Sequence, residues 1–234
     1  MAVELGKLYL VSTPIGNPED ITLRAIRVLK ESDIIICEEF KEGMRLLRQI
    51  GLTRELLSIN EHNEKENTEI AIQSLLEGKN VALISDCGAP VFSDPGLIIV
   101  QRCIESGISI IPLPGGNSMI PALIASGFPL NSFYYAGWLP RKTEERKSAW
   151  LSLKSINELL IIMETPYRLS KLLEEVHQVL GTAPAVLAFD LTKPTELFLR
   201  GTAQQILREV KQREIKGEFV LIVNNRKNKL SGKK

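Results

Sequence analysis

Three apolar segments of this chain each run directly into a loop built on glycine and proline. The loops are Thr13-Pro14-Ile15-Gly16-Asn17, Ser85-Asp86-Cys87-Gly88-Ala89-Pro90 and Pro112-Leu113-Pro114-Gly115. Apolar residues at helical spacing follow each loop, so each segment predicts a strand, a loop and a helix. In a parallel α/β sheet the carboxyl ends of the strands meet at one edge, where ligands bind. For any single loop, a tight βα turn in which Gly and Pro only set dihedral angles is the simpler interpretation.

The whole chain alternates strands and helices, which predicts an α/β fold of two domains, 1–115 and 116–225. Strands are expected at 7–13, 33–37, 56–59, 80–85, 108–111, 133–138, 158–163, 185–190, 196–200 and 218–224. Helices are expected at 20–31, 41–50, 63–77, 95–106, 118–127, 142–153, 168–180 and 203–213, with Asp20 as the first N-cap. The pattern predicts a mostly parallel sheet in the first domain and a mixed sheet in the second. The composition of residues 226–234, rich in Asn, Lys, Ser and Gly, predicts a disordered basic tail.

The composition is typical of a water-soluble globular protein. Of the 234 residues, 44% are hydrophobic and 24% are charged. No apolar stretch reaches the ~20 residues of a membrane-spanning helix, and the N-terminus lacks the pattern of a secretory signal. Cys37, Cys87 and Cys103 lack metal-ligand spacing, and two histidines are too few for a His-rich zinc site. We therefore expect a cytoplasmic protein with reduced thiols, no metal and no membrane contact.

The glycine loops do not match the phosphate-binding signatures of other α/β proteins. The chain has no G-x-G-x-x-G, no P-loop lysine motif and no G-x-S-x-G elbow. The loops favour a nucleotide-like ligand that is held by backbone groups from several loops, rather than a phosphate cradle. A nucleotide-dependent oxidoreductase is correspondingly disfavoured.

Further short motifs follow in order along the chain. They are Asp20-Ile21-Thr22-Leu23-Arg24-Ala25, Ser93-Asp94-Pro95-Gly96, Ala125-Ser126-Gly127, Gly137-Trp138-Leu139-Pro140, Glu164-Thr165-Pro166-Tyr167-Arg168, Leu191-Thr192-Lys193, Arg200-Gly201 and Gly217-Glu218-Phe219-Val220-Leu221. Together with the three loops, they resemble the ribosomal RNA small subunit methyltransferase I family, of the tetrapyrrole-methylase fold class, over residues 5–225. The resemblance implies an enzyme that uses S-adenosylmethionine to methylate a cytidine 2′-hydroxyl in 16S ribosomal RNA of the 30S subunit. It also implies a homodimer, with the donor held in the cleft between the two domains.

The chain departs from the family's pattern in several places. Cys37-Glu38-Glu39-Phe40-Lys41 stands where the family has approximately Ala-Glu-Asp-Thr-Arg, and Cys87 and Ala89 stand where it has Ala and Thr. After Gly115, Gly116-Asn117-Ser118 replaces Pro-Ser-Ala. Long family members also carry a further C-terminal helical region. We expect the changes at 39–41 to concern the acceptor more than the donor, because a backbone-lined site tolerates changes of side chain.

The resemblance implies a donor site made of loop residues from both domains. These residues are Pro14, Gly16, Asp86, Cys87, Gly88, Ala89, Pro90, Pro114, Gly115, Asn117, Ser118, Ile162, Met163, Leu191 and Thr192. Simpler roles exist for three of them. Ser118 stands where it would cap a predicted helix, and Ile162 and Met163 have the spacing of core residues.

Methyl transfer to a ribose hydroxyl needs a group that takes up the hydroxyl proton or lowers its pKa. The candidate acids or bases stand at predicted strand ends and are Glu38, Glu39, Asp86 and Asp94. Lys193 is a candidate phosphate or hydroxyl contact. For each carboxylate, a helix cap or an ion pair is the simpler interpretation. The segment Glu61-His62-Asn63-Glu64 also resembles the family's pattern and is a further candidate for the acceptor cleft.

The net charge of +1 does not indicate an RNA-binding protein, but basic residues cluster locally. Lys142, Arg146 and Arg168 lie in or near family-like motifs and are the predicted phosphate contacts. For the basic group at 141–147, its alternation with Glu144 and Glu145 is equally typical of a solvated helix surface.

Three functions are compatible with these residues. The favoured function is ribose methylation of ribosomal RNA. The second is methylation of a tetrapyrrole or corrin ring carbon or another small acceptor, which the shared fold supports. The third is an RNA- or protein-binding module that has lost its acceptor site, which the changed residues 39–41 support. Methyl transfer to RNA separates the first function from the other two.

Overall fold

The structure of the protein is a computed structural model, and it describes residues 4–60 and 62–227. The chain forms two compact units that divide between Asn117 and Ser118. The boundary expected from the sequence, after residue 115, lies in the same connecting loop.

The first unit is a parallel sheet with helices packed on both faces. Its strands are β1 (Lys7–Val11), β2 (Ile34–Cys37), β3 (Leu56–Ser58), β4 (Val81–Ile84) and β5 (Ser109–Leu113), and its helices are α1 (Leu23–Glu31), α2 (Phe40–Gln49), α3 (Glu64–Leu76) and α4 (Leu97–Glu105). The strands lie in the order β3-β2-β4-β1-β5, and each neighbouring pair is parallel. The central strand β4 is buried along its length, because Leu83 packs into one core and Ala82 and Ile84 into the other.

The second unit contains a mixed sheet, which confirms the predicted α/β fold of two units. Its strands are β6 (Phe133–Trp138), β7 (Leu159–Met163), β8 (Pro184–Phe189), β9 (Leu197–Thr202) and β10 (Phe219–Asn224), and its helices are α5 (Met119–Ile124), α6 (Thr143–Ser155), α7 (Leu169–Leu180) and α8 (Ala203–Gln212). The order is β6-β7-β10-β8-β9. β6 and β7 are parallel, whereas the other neighbours are antiparallel. The parallel pair therefore ends at a common edge of the sheet.

The first helix begins later than the sequence predicts. Asp20 ends a 3₁₀ turn, Pro18–Asp20, and the N-cap of α1 is Thr22, whose hydroxyl accepts a hydrogen bond from the Ala25 amide at 3.0 Å. The prediction that Asp20 is the N-cap is therefore wrong. The reason is local, because the turn that starts at Pro18 places Asp20 outside the α-helix.

The first residues of the predicted tail belong to the second unit. Arg226 Nη2 donates to the carbonyl oxygen of Ser132 at 2.6 Å, and its Nε lies 3.3 Å from Glu158 Oε2. The amide of Lys227 donates to Asn157 Oδ1 at 2.6 Å. The remainder of the predicted tail, residues 228–234, lies outside the described residues.

Residues 4–60 and 62–227 contain neither a candidate membrane-spanning helix nor a candidate metal-binding cluster. None of the helices there is both long enough and apolar enough to cross a membrane. No set of three or more His, Cys, Asp or Glu side chains in that part of the chain is arranged to hold a metal ion. Cys37 and Cys103 are free thiols, and both are buried.

Candidate active site

Thr13 joins the loop after β1 to the loop after β4. Its amide donates to the carbonyl oxygen of Gly88 at 2.8 Å, and the Gly88 amide donates to Thr13 Oγ1 at 3.1 Å. The same hydroxyl lies 3.1 Å from the carbonyl oxygen of Ser85, to which it donates, and the side chain is buried. The hydroxyl is therefore used within the protein to hold the two loops together. The sequence shows Thr13 in a motif but gives no signal of this role.

The loop after β5 packs backbone against backbone on the loop after β1. A Cβ on Gly115 would lie 2.8 Å from Ser12 Cβ, and a Cβ on Gly116 would overlap the carbonyl oxygen of Thr13. Gly88 faces the same loops and has a φ of +90°, a conformation that favours glycine. We call these three segments, residues 12–17, 85–90 and 114–117, the loop cluster.

The loop cluster contains every donor residue that the sequence predicts in the first unit. They are Pro14, Gly16, Asp86, Cys87, Gly88, Ala89, Pro90, Pro114, Gly115 and Asn117. The cluster has no lysine or arginine, and Asp86 is its one carboxylate. Its surface is therefore made of backbone, small side chains and one negative charge.

Acidic groups gather beside the loop cluster. Glu39 follows β2 at the N-cap of α2, and its amide donates to Asp86 Oδ1 at 3.2 Å. Burial raises the pKa of Asp86, and the charges of Glu39, Glu42 and Asp94 raise it further, against a hydrogen bond from the Glu39 amide. Burial also raises the pKa of Asp94, although its Oδ2 accepts a 2.6 Å hydrogen bond from the Ser85 hydroxyl. Asp86 is therefore a better proton acceptor than an ordinary aspartate.

Two side chains close to these carboxylates have structural roles. Burial raises the pKa of Cys37 to about 12, and the charges of Asp86 and Glu39 add to the effect, so the thiol stays neutral. Glu64 Oε1 accepts hydrogen bonds from the amides of Gly96 at 2.9 Å and Ile98 at 3.4 Å. Glu64 thus caps the start of α4, which is the structural role that a carboxylate most simply has. Its carboxylate is used in this cap. Its predicted neighbour Glu61 lies outside the described residues.

The loop between β8 and β9 has a strained backbone. Asp190 and Thr192 have φ values of +45° and +66°, which are unusual for residues other than glycine. Asp190 is buried, and its carboxylate accepts hydrogen bonds from Lys193 Nζ and Thr195 Oγ1, both at 2.9 Å. The loop therefore holds the Lys193 amine in one place. The donor contacts of Leu191 and Thr192 and the hydroxyl contact of Lys193 stay predictions.

Three other predicted donor residues of the second unit differ in accessibility. Ile162 is fully buried in the core, so its side chain cannot line an open site, and the core interpretation is correct for it. Met163 ends β7 half-buried, with its Sδ 3.3 Å from the hydroxyl of Tyr135, and it stays a candidate. Ser118 occupies the N-cap position of α5, but its side chain makes no capping hydrogen bond.

Arg146 lies at the centre of a buried ionic network. Its side chain is 5% exposed, with Nη1 2.9 Å from Glu164 Oε2 and Nη2 2.8 Å from Glu175 Oε2. Nη1 also donates to the carbonyl oxygen of Pro140, and Trp150 Nε1 donates to Glu175 Oε2 at 3.1 Å. The prediction that Arg146 contacts RNA phosphates is therefore corrected, because two carboxylates enclose its guanidinium. The sequence did not predict Glu164 and Glu175 as partners of Arg146. The one available signal was the family-like motif that begins at Glu164.

Lys142 and Arg168 remain accessible at one edge of the second sheet. The Lys142 side chain is 83% exposed, with Nζ 3.1 Å from Glu145 Oε1. The Arg168 side chain is 35% exposed, with Nη1 3.8 Å from Glu164 Oε2. Lys142 follows β6 and Arg168 follows β7, and these strands are parallel neighbours. Both cations therefore lie beyond the same ends of the strands.

Comparison with known proteins identifies related chains. The sequence profile of the family described as Tetrapyrrole (Corrin/Porphyrin) Methylases matches residues 7–207. A protein named Ribosomal RNA small subunit methyltransferase I from Halalkalibacterium halodurans is 43% identical over 225 residues, which are 96% of this chain and 78% of that protein. A protein of the same name from Thermotoga maritima is 36% identical over 222 residues, which are 95% of this chain and 100% of that protein.

Solved structures show the same fold at lower sequence identity. One is the uroporphyrin-III C-methyl transferase from Thermus thermophilus complexed with S-adenyl homocysteine. It is 20% identical, with a TM-score of 0.60 over 94% of this chain and 97% of that one. Structural similarity at this sequence identity is evidence for the fold alone. The family is assigned from the relatives that are similar in sequence.

Proposed function

This chain belongs to the ribosomal RNA small subunit methyltransferase I family of tetrapyrrole methylases, and on that premise we propose that it methylates a cytidine 2′-hydroxyl of 16S ribosomal RNA with S-adenosylmethionine. The donor and the ribosomal RNA acceptor come with the family. The cytidine and its 2′-oxygen are the finer part of the proposal. The observation that carries the proposal is the loop cluster, because its surface suits the methyl donor. That surface is built of backbone and has one carboxylate and no cation.

The chemistry of the loop cluster fits this donor. When bound, S-adenosylmethionine supplies a methyl group that is activated by its positively charged sulfur. Backbone amides and carbonyls pair with adenine, ribose and amino-acid groups, and Asp86 adds the only charge, which is negative. A dinucleotide or triphosphate would bring phosphates, which favour helix N-termini, glycine-rich amide nests or basic side chains. A cluster without lysine or arginine suits a cationic ligand better.

Carboxylates in and beside the loop cluster are the proposed proton acceptors. A ribose hydroxyl is a poor nucleophile, so a base that takes up its proton accelerates the transfer. Asp86 fits this role because burial raises its pKa and because the amide of Glu39 holds one of its oxygens. Glu39, which is exposed at the start of α2, is the second candidate base. Lys193, held by Asp190, is the proposed contact for the hydroxyl oxygen.

The accessible cations of the second unit are the proposed RNA contacts. Lys142 and Arg168 follow parallel strands at one sheet edge and offer charge to phosphates. We further propose that the substrate is the 30S subunit, that the enzyme acts as a homodimer and that it works in the cytoplasm. These finer proposals rest on the resemblance of the chain to its family.

The deciding experiment is tritiated methyl transfer from S-adenosylmethionine into 30S subunits of cells that lack the endogenous enzyme. We expect label in 16S ribosomal RNA at a 2′-O-methylcytidine, located by mapping of the modified nucleotide. An Asp86→Asn variant keeps the oxygen that the Glu39 amide contacts but removes the one charge of the loop cluster, so it should bind the donor less tightly and, at saturating donor, still lose most of the transfer. Label in a base carbon or in a tetrapyrrole instead of RNA would contradict the proposal. Donor binding with no transfer to any of these acceptors would favour a binding module.

A further inference from the structure

Tyr167 is fully presented to solvent in the second unit. Its relative exposure is 99%, the highest among the large hydrophobic side chains that the structure describes. It lies in the 3₁₀ turn Pro166–Arg168, between the end of β7 and the start of α7. A ring this exposed gains little from folding and is fully accessible to a binding partner.

The turn under Tyr167 is firmly held. The Arg168 amide donates to the carbonyl oxygen of Thr165 at 2.9 Å, and the Thr165 amide donates to Glu164 Oε1 at 2.9 Å. Glu164 is itself buried, and its other oxygen binds Arg146 at 2.9 Å. The ring therefore projects from a backbone anchored to a buried ionic network. A partner that stacks on it orders only the side chain, which lowers the entropic cost of binding.

Basic and aromatic residues follow or occupy the ends of the parallel strands β6 and β7, beyond which Tyr167 lies. Arg168 is the next residue, and its guanidinium is 35% exposed. At the end of the parallel neighbour β6, Trp138 is 47% exposed and pairs in register with Met163, and Lys142 beyond it is 83% exposed. Cations interleaved with accessible rings are typical of surfaces that bind single-stranded nucleic acid, where bases stack and phosphates are neutralised. The buried centre of a protein interface is instead depleted in lysine.

We propose that Tyr167 stacks on an unpaired base of the RNA substrate, beside phosphates that Lys142 and Arg168 contact. This inference rests on the proposed function and adds a base contact to it. Stacking on a ring is tolerant of sequence, so Tyr167 contributes affinity and positions the strand rather than choosing the nucleotide. The tyrosine is a binding residue for the acceptor and has no role toward the methyl donor.

The test compares Tyr167→Ala, Tyr167→Phe and Tyr167→Trp for binding to unmethylated 30S subunits at several salt concentrations. We expect Tyr167→Ala to weaken binding about 5- to 100-fold, with Phe and Trp close to wild type, because all aromatic rings stack. The dependence of affinity on salt should stay parallel to that of wild type, since stacking releases no counterions. Donor affinity by calorimetry should not change. Tyr134→Ala makes the same change on a half-exposed tyrosine near the start of β6 and serves as the matched control.

The outcomes separate the two proposals. If wild type methylates 30S subunits and Tyr167→Ala binds them equally well, the stacking contact is wrong and the proposed function stands. If wild type neither binds nor methylates them, the proposed function fails and the stacking contact with it. A smaller assembly of Tyr167→Ala in sedimentation, with binding restored at high protein concentration, would assign the ring to an interface between copies and overturn the inference. An equal loss in Tyr134→Ala would also overturn it.

Discussion

Thr13 and Gly88 exchange hydrogen bonds in both directions, amide to carbonyl at 2.8 Å and amide to hydroxyl at 3.1 Å. The exchange ties the end of β1 to the loop after β4, although the two residues are 75 positions apart. To form these hydrogen bonds, Gly88 adopts a φ of +90°, a conformation that costs glycine little free energy. The loop cluster is therefore an assembled surface, and its shape depends on glycine at particular places.

Replacing Gly88 by valine should abolish or strongly weaken binding of S-adenosylmethionine. A Cβ there would have ordinary contacts, at 3.5 Å or more, so the substitution acts through the left-handed backbone and the methyl groups it adds beside the loops. The backbone penalty for an L-residue in that conformation is about 1–2 kcal/mol. Isothermal calorimetry measures the donor affinity. Gly51→Val is the matched control, because Gly51 has a φ of +70° and nothing within 4 Å of a Cβ. Equal donor affinity in the two folded variants would show that the loop is misassigned.

Asp86→Asn should stabilise the protein at neutral pH and have no effect on stability in acid. Burial raises the folded-state pKa of Asp86, so ionisation of this group opposes folding. Below the unfolded pKa of about 4 both states are protonated and the effect vanishes, and it grows as the pH rises through the folded pKa. Thermal melting between pH 4 and pH 8 should show a Tm advantage that increases with pH. The same substitution at the exposed Asp20 is the control, and a flat difference for Asp86→Asn would contradict the assigned environment.

Arg146→Ala should destabilise the second unit by about 3–5 kcal/mol, because it removes the hydrogen-bonded cation of the buried Glu164 and leaves only the more distant Arg168. Urea unfolding measures the loss. Arg141→Ala removes the same charge from an exposed position five residues earlier and should change stability by no more than about 0.5 kcal/mol. If Arg146→Ala is as stable as Arg141→Ala, the network does not hold the turn beneath Tyr167.

Charge removal at Lys142 and Arg168 should weaken binding to 30S subunits and flatten its salt dependence. Each lost phosphate contact lowers the slope of log K against log salt by about 0.7 to 0.9. The double alanine variant should keep its donor affinity. Lys154→Ala is the control, because Lys154 lies in the last turn of α6 whereas Lys142 precedes the first. An unchanged affinity and slope would assign Lys142 and Arg168 to a solvated surface, and a loss of donor binding would indicate damage to the fold.

Much of the architecture could be predicted from the sequence, because the order and type of the helices and strands depend on local patterns. The apolar runs that become β1, β4 and β5 end in loops whose prolines and glycines limit the backbone conformations. The alternation of strands and helices predicted two α/β units and a mixed second sheet, and family motifs in order predicted the donor and the acceptor class. Boundaries that depend on a single cap were less readable, and Thr22 rather than Asp20 starts α1.

Only the tertiary structure decided what the charged residues do. Lys142 and Arg146 stand four positions apart in one basic stretch, yet the first is 83% exposed and the second 5%. The difference arises because Glu164 and Glu175, 18 and 29 residues farther along the chain, face one side of α6 and enclose the guanidinium. Glu64 likewise caps α4 across 32 residues. A sequence shows which groups carry charge, but a charge interacts through space, so its partner depends on how distant elements pack.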